Sequence, residues 1–352
     1  MLLYLHIPFC DSKCNYCAFK SFANLSDIKN IYMDKILEQL KNDVDFLQLK
    51  EKSITSIFIG GGTPSSVDAR LYRDFFDFIY PYLTKNVEIT TEANPNSANL
   101  EWLEIMKDLG VNRVSFGVQS FDDKKLKFLG RNHSKNEAIN AVLNAHKTKF
   151  KNISLDIIYE TMLDSKKLLF EDIKIASNLP INHISAYSLT IEKNTPFYKM
   201  PKAKKESITL SKYLFNTLND FGFYAYEISN FSRNYKCKHN IGYWKHKKYI
   251  GIGGSAVSFD GKNRVYTQLD PKKYIQNPNS KRYESITNED MILEKIFLGF
   301  RSFVGVKESI LPLKMKKNVD ILLKCGKLIL RNGRLYNPNF LLADEIALFI
   351  TS

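Results

Sequence analysis

The chain has 352 residues, of which 44% are hydrophobic and 25% charged, and its formal net charge is +14. This composition is that of a globular protein, long enough for one large domain and an appendage. We expect a cytoplasmic protein, because no secretory signal precedes the first strand and no apolar run approaches the roughly 18 residues of a membrane span. Five cysteines, an odd number, argue against a disulfide framework.

Apolar β-rich runs alternate with helical patterns through the first two thirds of the chain. Strands are predicted at 2–7, 54–59, 87–91, 113–118, 153–158 and 183–189, with helices at 27–49, 69–83, 100–109, 136–149 and 166–177. Six strands alternating with helices predict an α/β fold with a parallel sheet and right-handed crossovers. A doubly wound open sheet and a barrel of βα units both fit this pattern.

The alternation weakens after about residue 200. A helix is predicted at 202–221 and an extended segment at 224–228, and the polar stretch 260–279 is typical of a linker. Helices resume from 288, and a small hairpin is predicted at 328–335 with a turn at Arg331-Asn332-Gly333. We therefore divide the chain into a core at 1–225, a segment with a linker at 226–287 and a small, mainly α C-terminal domain at 288–352.

Three cysteines, Cys10, Cys14 and Cys17, have the spacing C-x3-C-x2-C. Three thiolates can hold three irons of a 4Fe-4S cubane and leave the fourth iron open for an exogenous ligand. A zinc site, a disulfide and a chance group of buried thiols are the alternatives, although zinc sites commonly use paired C-x2-C units and only one such pair is present. Cys237 and Cys325 are interpreted as buried free thiols.

This cysteine spacing, with Tyr16 before the last cysteine, resembles the radical S-adenosylmethionine (SAM) superfamily. The resemblance implies that SAM chelates the open iron and that the reduced cluster passes one electron to its sulfonium. The 5'-deoxyadenosyl radical so formed would abstract hydrogen from a substrate. The resemblance also implies a partial (β/α)6, TIM-like barrel, which decides between the two architectures for the core.

Polar residues and glycines follow several of the predicted strands. The second strand leads into Gly60-Gly61-Gly62-Thr63, where glycines let a ligand approach the backbone and expose N–H groups. Glu92, Gln119, Arg131 and Asp156 also fall at or near strand ends. Each of them alone is as well explained by a structural role or a helix cap.

Together these residues resemble the oxygen-independent coproporphyrinogen III oxidase family, as do the strings Y-x-H-I-P-F-C at 4–10, G-G-G-T-P at 60–64 and S-F-G-V-Q-S-F at 115–121. By that resemblance the SAM pocket would be lined by Tyr4, Tyr16, Gly61, Gly62, Thr63, Glu92, Gln119, Arg131, Asp156 and Ala186. His6 is left as a structural residue. One departure concerns the loop after the fifth strand: the family has Gly-Leu-Pro where this chain has Glu160-Thr161-Met162, which leaves the shape of that loop open.

Two features differ from the true oxidases of this family. Those enzymes carry a fourth cysteine where this chain has Phe19, and they have an N-terminal extension, whereas nine residues precede Cys10 here. Both differences resemble the branch of the family described as haem chaperones.

A further string, H-N-x-x-Y-W, resembles the proposed haem-binding motif of that branch. It consists of His239, Asn240, Tyr243 and Trp244. A histidine can supply an axial nitrogen to iron, and aromatic side chains offer apolar surface to a porphyrin. A core histidine beside a buried Trp-Tyr pair is the alternative. No acidic residue lies between Glu227 and Asp260, which suits haem propionates but equally an acidic protein partner.

The resulting hypothesis is a protein that binds a 4Fe-4S cluster, SAM and haem, and passes the haem to an acceptor protein such as a respiratory enzyme. The alternative is oxidative decarboxylation of coproporphyrinogen III. Radical modification of tRNA would fit the positive charge, but no RNA-binding motif is evident and we expect no nucleic-acid partner. Peripheral contact with a membrane, a dimer, and the purpose of SAM cleavage stay open.

Overall fold

The computed structural model describes residues 1–352, and the first two thirds of them form a parallel sheet covered by helices. The six strands are β1 (Leu2–Ile7), β2 (Ile54–Gly61), β3 (Leu83–Ala93), β4 (Arg113–Gln119), β5 (Asn152–Tyr159) and β6 (His183–Ser188). The helices are α1 (Lys29–Phe46), α2 (Arg73–Ile79), α3 (Leu100–Asp108), α4 (Asp123–Leu129), α5 (Lys135–Lys147), α6 (Lys166–Ser177) and α7 (Ile208–Asp220). The strands lie side by side in chain order and all pairs are parallel.

The segment after α7 adds strands to both edges of this sheet. It contains β7 (Tyr224–Ala225), β8 (Asn230–Ser232), α8 (Lys238–Trp244), β9 (Tyr249–Ile252), β10 (Val257–Phe259), β11 (Asn263–Tyr266), α9 (Pro271–Gln276) and β12 (Arg282–Ser285). Strand β8 pairs antiparallel with β6, and β9 pairs parallel with β1, so the two edges of the barrel do not join each other. The partial (β/α)6 barrel predicted from the sequence is confirmed.

The polar stretch 260–279 is part of the sheet and its covering layer, whereas the sequence suggested a linker. Asp270 begins α9 by accepting hydrogen bonds from the N–H groups of Lys272 and Lys273. Tyr274 on α9 is fully buried, and its hydroxyl donates to Gln39 Oε1 on α1 at 2.7 Å. Much of the polarity belongs to turns and caps: Asp260 Oδ1, for example, accepts hydrogen bonds from the N–H groups of Lys262 and Asn263 at the start of β11.

The barrel strands present different side chains to their two faces. Residues such as Ile57, Ile89 and Leu155 point outward into a core of 52 buried residues beneath the helices. Most of the alternate residues are polar, and several bond one another inside the barrel; for example, Ser115 Oγ donates to Asp156 Oδ1 at 3.1 Å. This period of two leaves a polar interior that can hold a charged ligand.

The C-terminal region has its own hydrophobic cluster of 12 buried residues. It contains α10 (Asn288–Phe300), β13 (Val306–Lys307), α11 (Leu313–Lys324), β14 (Ile329–Arg331), β15 (Arg334–Tyr336) and α12 (Ala343–Thr351). The predicted hairpin is confirmed, and its turn residues Asn332 and Gly333 both have positive φ, as a type I′ turn requires. The boundary at residue 288 stays a prediction. The structure buries Cys237, as expected, but leaves Cys325 exposed. None of the helices combines the length and the apolar character needed to cross a bilayer.

Candidate cofactor site

A cavity of about 440 Å³ opens at the carboxyl ends of the barrel strands. Active sites of parallel β/α barrels lie at this end, because the loops that follow the strands converge there. Cys10, Cys14 and Cys17, from the loop after β1, all line the cavity. Eight of the ten residues predicted for the SAM pocket line it as well: Tyr16, Gly61, Gly62, Thr63, Glu92, Gln119, Arg131 and Asp156.

Backbone hydrogen bonds hold the cysteine loop against the barrel. Cys10 N–H donates to Phe22 O at 3.1 Å, and Asn15 N–H donates to Leu129 O at 3.0 Å, at the end of α4. The three thiols are free and partly buried, so each has both support and access to the cavity. No three metal-ligating side chains converge on one point. A cubane does not require this, because each thiolate binds a different iron.

A hydrogen-bond network connects two of these cysteines with the strand ends. Arg131 Nη1 donates to Cys14 Sγ at 3.3 Å, and Thr63 Oγ1 donates to Cys10 Sγ at 3.4 Å. Asn94 links the two donors, because its Nδ2 donates to Thr63 Oγ1 and its Oδ1 accepts from Arg131 Nη2 at 2.7 Å. Hydrogen bonds of this kind orient the sulfurs that would bind iron. Asn94 was missed in the sequence analysis, although it follows Glu92 by two positions.

The glycine turn after β2 is packed too closely for other residues. Gly61 has φ of +113°, and a Cβ there would lie 2.5 Å from the ring of His6. The N–H groups of this turn are already used: Gly61 N–H donates to Glu92 Oε2 at 3.3 Å and Gly62 N–H to Ile7 O at 2.7 Å. The turn therefore does not offer a ligand the free N–H groups that the sequence suggested.

Two carboxyl groups face each other across the floor of the cavity. Burial, together with the neighbouring charge of Asp156, raises the pKa of Glu92 to about 8. Burial also raises the pKa of Asp156, against the hydrogen bonds that it accepts from Ser115 and Ser185. Such a pair of buried acids is relieved when a cation binds beside it.

Tyr4 and Ala186 do not line the cavity. The hydroxyl of Tyr4 is 3.0 Å from His6 Nδ1, so Tyr4 supports the histidine that backs Gly61. The side chain of Ala186 belongs to the apolar core outside the barrel, while the next residue, Tyr187, faces the cavity. The alternation of side chains along β6 explains the difference, because neighbouring residues of a strand point to opposite faces.

The departure from the family pattern after β5 is accommodated by a buried glutamate. Glu160 has φ of +64°, a conformation that favours the glycine which the family has at this place. Its carboxylate accepts hydrogen bonds from Ser188 Oγ at 2.6 Å and Ser211 Oγ at 2.7 Å. These bonds hold the strained residue, and Asp156 on the same strand still lines the cavity.

The residues predicted to bind haem lie away from the cysteines, at the amino ends of the strands. Helix α8 packs there against β2, and His239 Nδ1 is 2.9 Å from Ser56 Oγ. His239 is completely buried, and burial lowers its pKa to about 3, so the imidazole is neutral. Its Nε2 is buried without a hydrogen-bond partner. The ring of Tyr243 packs edge-on against that of His239 at 4.7 Å.

Glu88, near the middle of β3, anchors the start of α8. Its carboxylate accepts from the N–H groups of Lys238 and His239 and from the hydroxyl of Tyr235, each at 2.8 Å. A carboxylate is favourable at a helix N-terminus because it meets unpaired N–H groups. Helix α8 thus closes this end of the barrel. Asn240 and Trp244 are partly buried on the same helix.

Phe19 is 71% exposed and lies at the edge of the cavity. A side chain at this position has access to the cavity, so the place where the resemblance puts a fourth cysteine in the oxidases is held here by an aromatic ring without a thiol.

The barrel, the three cysteines and the cavity at the strand ends define a radical SAM protein. The sequence pattern of the radical SAM superfamily matches residues 4–163. The solved structure of coproporphyrinogen III oxidase (HemN) from Escherichia coli, a radical SAM enzyme, has a similar fold, with a TM-score of 0.83 and 19% identity over 99% of this chain and 89% of that one.

Individual relatives narrow the assignment from the superfamily to one family within it. The chain is 31% identical to "Heme chaperone HemW" of Bacillus subtilis over 90% of its own length and 87% of that protein. It is 34% identical to "Heme chaperone HemW" of Escherichia coli, over 85% of this chain and 82% of that protein. The chain belongs to the HemW family of the radical SAM superfamily.

Proposed function

We propose that the protein binds a 4Fe-4S cluster and SAM in the cavity, binds haem, and passes the haem to an acceptor protein. The observation that carries the proposal is the cavity that joins three free thiols with eight residues of the predicted SAM set. The names of the relatives support the haem part. A cytoplasmic location and a respiratory enzyme as acceptor belong to the same proposal.

The residues present fit the cluster. Cys10, Cys14 and Cys17 would each hold one iron, and the donors from Thr63 and Arg131 would stabilise the charge on two of the sulfurs. When bound, the cluster supplies one electron to the SAM sulfonium. The protein's part is to hold the thiols at the mouth of a polar cavity and to leave one iron without a protein ligand.

The residues also fit the charges of SAM. The glycine turn, whose N–H groups are used within the protein, would contact the ammonium group of SAM through a carbonyl oxygen. Glu92 and Asp156 have raised pKa values, and a nearby cation would lower them and favour both carboxylates. Glu92 could then accept hydrogen bonds from ribose hydroxyls or from the ammonium.

Haem binding is proposed for the segment that contains α8. Ligation of iron by His239 stays a prediction, and it requires α8 to move from the barrel end. The hydrogen bonds from its first N–H groups to Glu88 and the contact between His239 and Ser56 would then be lost. Basic residues around the helix, including Lys236 and Lys245, provide the positive charge that propionates need.

The test uses the full chain, purified and reconstituted anaerobically with iron and sulfide. We expect a cluster whose electron paramagnetic resonance spectrum changes when SAM is added, and stoichiometric haem binding with a Soret band. Release of that haem to apomyoglobin would measure transfer. A chain that takes up no haem, with or without SAM, would overturn the proposal. His239→Ala should alter the Soret band, and an unchanged spectrum and affinity would remove this ligand.

Oxidation of coproporphyrinogen III is the second candidate function. The similarity between the fold of this chain and that of the Escherichia coli oxidase favours it. Phe19 in place of the fourth cysteine argues against it. Reconstituted protein supplied with SAM, reductant and coproporphyrinogen III should give no protoporphyrinogen IX. Multiple turnovers to that product would establish the oxidase instead.

A further inference from the structure

A groove of about 680 Å³ lies between the end of α8 and the C-terminal region. Trp244 and Lys245 contribute one wall, and the other is built from α10 and from the residues around β13 and β15. The volume is in the range of small-molecule sites, which is roughly 300–1,000 Å³. The groove is separate from the cavity of the cysteines, because the two share no lining residue.

The lining combines aromatic surface with positive charge. Trp244, Phe303 and Tyr336 supply the aromatic side chains, and no Asp or Glu is among the twelve lining residues. The indole Nε1 of Trp244 is buried without an acceptor. A ligand for this groove should therefore have an extended apolar face and more than one negative group.

Three lysines line the groove, Lys245, Lys295 and Lys307, and all three are free to bind such negative groups. Lys295 and Lys307 belong to the wall that faces Trp244, and none of the three lysines takes part in any ion pair of the protein. Arg334, in contrast, is used by the fold, because its Nη1 donates to the carbonyl oxygens of Val304 and Gly305. The free lysines thus have no structural partner that would explain their place at the groove.

We propose that this groove binds the tetrapyrrole, with the macrocycle against Trp244 and Phe303 and the two propionates on Lys295 and Lys307. The inference rests on the proposed haem function and deepens it, because it names the surface and the charges that recognise the ligand. A planar apolar ring with two carboxylates matches the aromatic wall and the paired cations. Contact of the macrocycle with this groove requires no movement of α8, because Trp244 already borders the groove. Ligation of the iron by His239, which is buried, is a separate prediction that does require α8 to move.

The test measures the affinity for iron-free protoporphyrin IX and for its dimethyl ester, so that coordination to iron plays no part. Lys295→Glu with Lys307→Glu reverses both charges at the groove. Lys316→Glu with Lys317→Glu is the matched control, because these exposed lysines of α11 lie outside the groove and give the same change in net charge.

We expect the first pair to weaken binding of the diacid about tenfold or more and to leave binding of the uncharged ester unchanged. The control pair should bind both porphyrins as the unaltered chain does. Equal affinities of the two double variants for the diacid would contradict the groove as the binding site, while the proposal that the protein binds haem would stand. Failure of the unaltered chain to bind either porphyrin or haem would instead overturn the proposed function itself. Thermal unfolding midpoints of both pairs, expected to match, check that they fold alike.

Discussion

The two ends of the barrel are built from the same strands but treat their inward polar side chains differently. At the sealed end Glu88 accepts four hydrogen bonds, two of them from the N–H groups of α8, and the helix excludes solvent. At the open end Glu92, four residues further along β3, accepts one hydrogen bond, from Gly61, and faces a cavity. The comparison separates a carboxylate whose hydrogen bonds are used by the fold from one that the fold leaves with a single donor and facing a cavity.

The largest expected effect concerns the open end. Cys14→Ala should abolish assembly of the cluster, because two remaining thiolates cannot hold three irons. Iron and sulfide analysis after anaerobic reconstitution should fall from about four of each per chain to near zero. Cys325→Ala is the control, since that thiol is exposed on the C-terminal region and should have no effect. A full cluster in the Cys14 variant would place the cofactor elsewhere.

At the sealed end, Glu88→Ala should reduce the free energy of unfolding by about 3–5 kcal/mol, because it leaves buried donors without a partner. Thermal unfolding of the cluster-free chain measures this change. Glu51→Ala, at an exposed position, is the control. At a temperature where the Glu88 variant is folded, its cluster content should be normal. Loss of the cluster without loss of stability would contradict the division between the two ends.

A smaller effect should appear in the pH dependence of stability. The folded chain keeps a proton on Glu92 up to about pH 8, whereas an unfolded chain releases it near the ordinary glutamate pKa of about 4.3. Between these two pH values the folded state binds more protons than the unfolded state. The free energy of unfolding that protonated Glu92 contributes in full below about pH 4 is therefore lost as the pH rises toward 8. Glu92→Gln should flatten this slope and raise the unfolding midpoint of the cluster-free protein at pH 8. Parallel curves for the two proteins from pH 5 to 8 would show that Glu92 is ionised in the fold.

The smallest expected effect is that of Phe19→Cys. Because Phe19 is 71% exposed, the change in stability should stay within about 0.5 kcal/mol. The variant introduces the fourth cysteine of the oxidases but not their N-terminal extension. It should therefore form no protoporphyrinogen IX from coproporphyrinogen III, and turnover in this variant would show that one thiol separates the two functions.

The sequence was sufficient for the barrel and for most of the open end, because local patterns specify them. The alternation of strands and helices gave the sheet, and the residues after each strand gave the cavity. It was insufficient where contacts join distant parts of the chain. Glu88 and His239 are 151 positions apart, and nothing in either segment reveals that one carboxylate holds the start of α8.

The remaining differences have local causes. Ala186 was chosen from a motif, but the phase of β6 turns Tyr187 toward the cavity instead. The stretch 260–279 has a linker's composition because it contains polar turn and cap residues such as Asp260 and Asp270, and composition does not separate turns within a sheet from a linker. The glycine turn was expected to offer N–H groups, and only the structure reveals that the protein itself uses them.

Strand β3 contributes a carboxylate to each end of the barrel, and the alternation of its side chains fixes the direction of both. Glu88 and Glu92 point inward while Ile89 and Ala93 lie in the outer core, so the spacing of four residues, about 13 Å, keeps both carboxylates in phase. Deleting one residue between them would turn one of the two carboxylates into the hydrocarbon layer under the helices. A substitution in β3 affects one position and can be compensated by a change at a neighbouring residue. A deletion shifts the alternation of all residues beyond it, so it would disrupt one end of the barrel irrespective of which residue is removed.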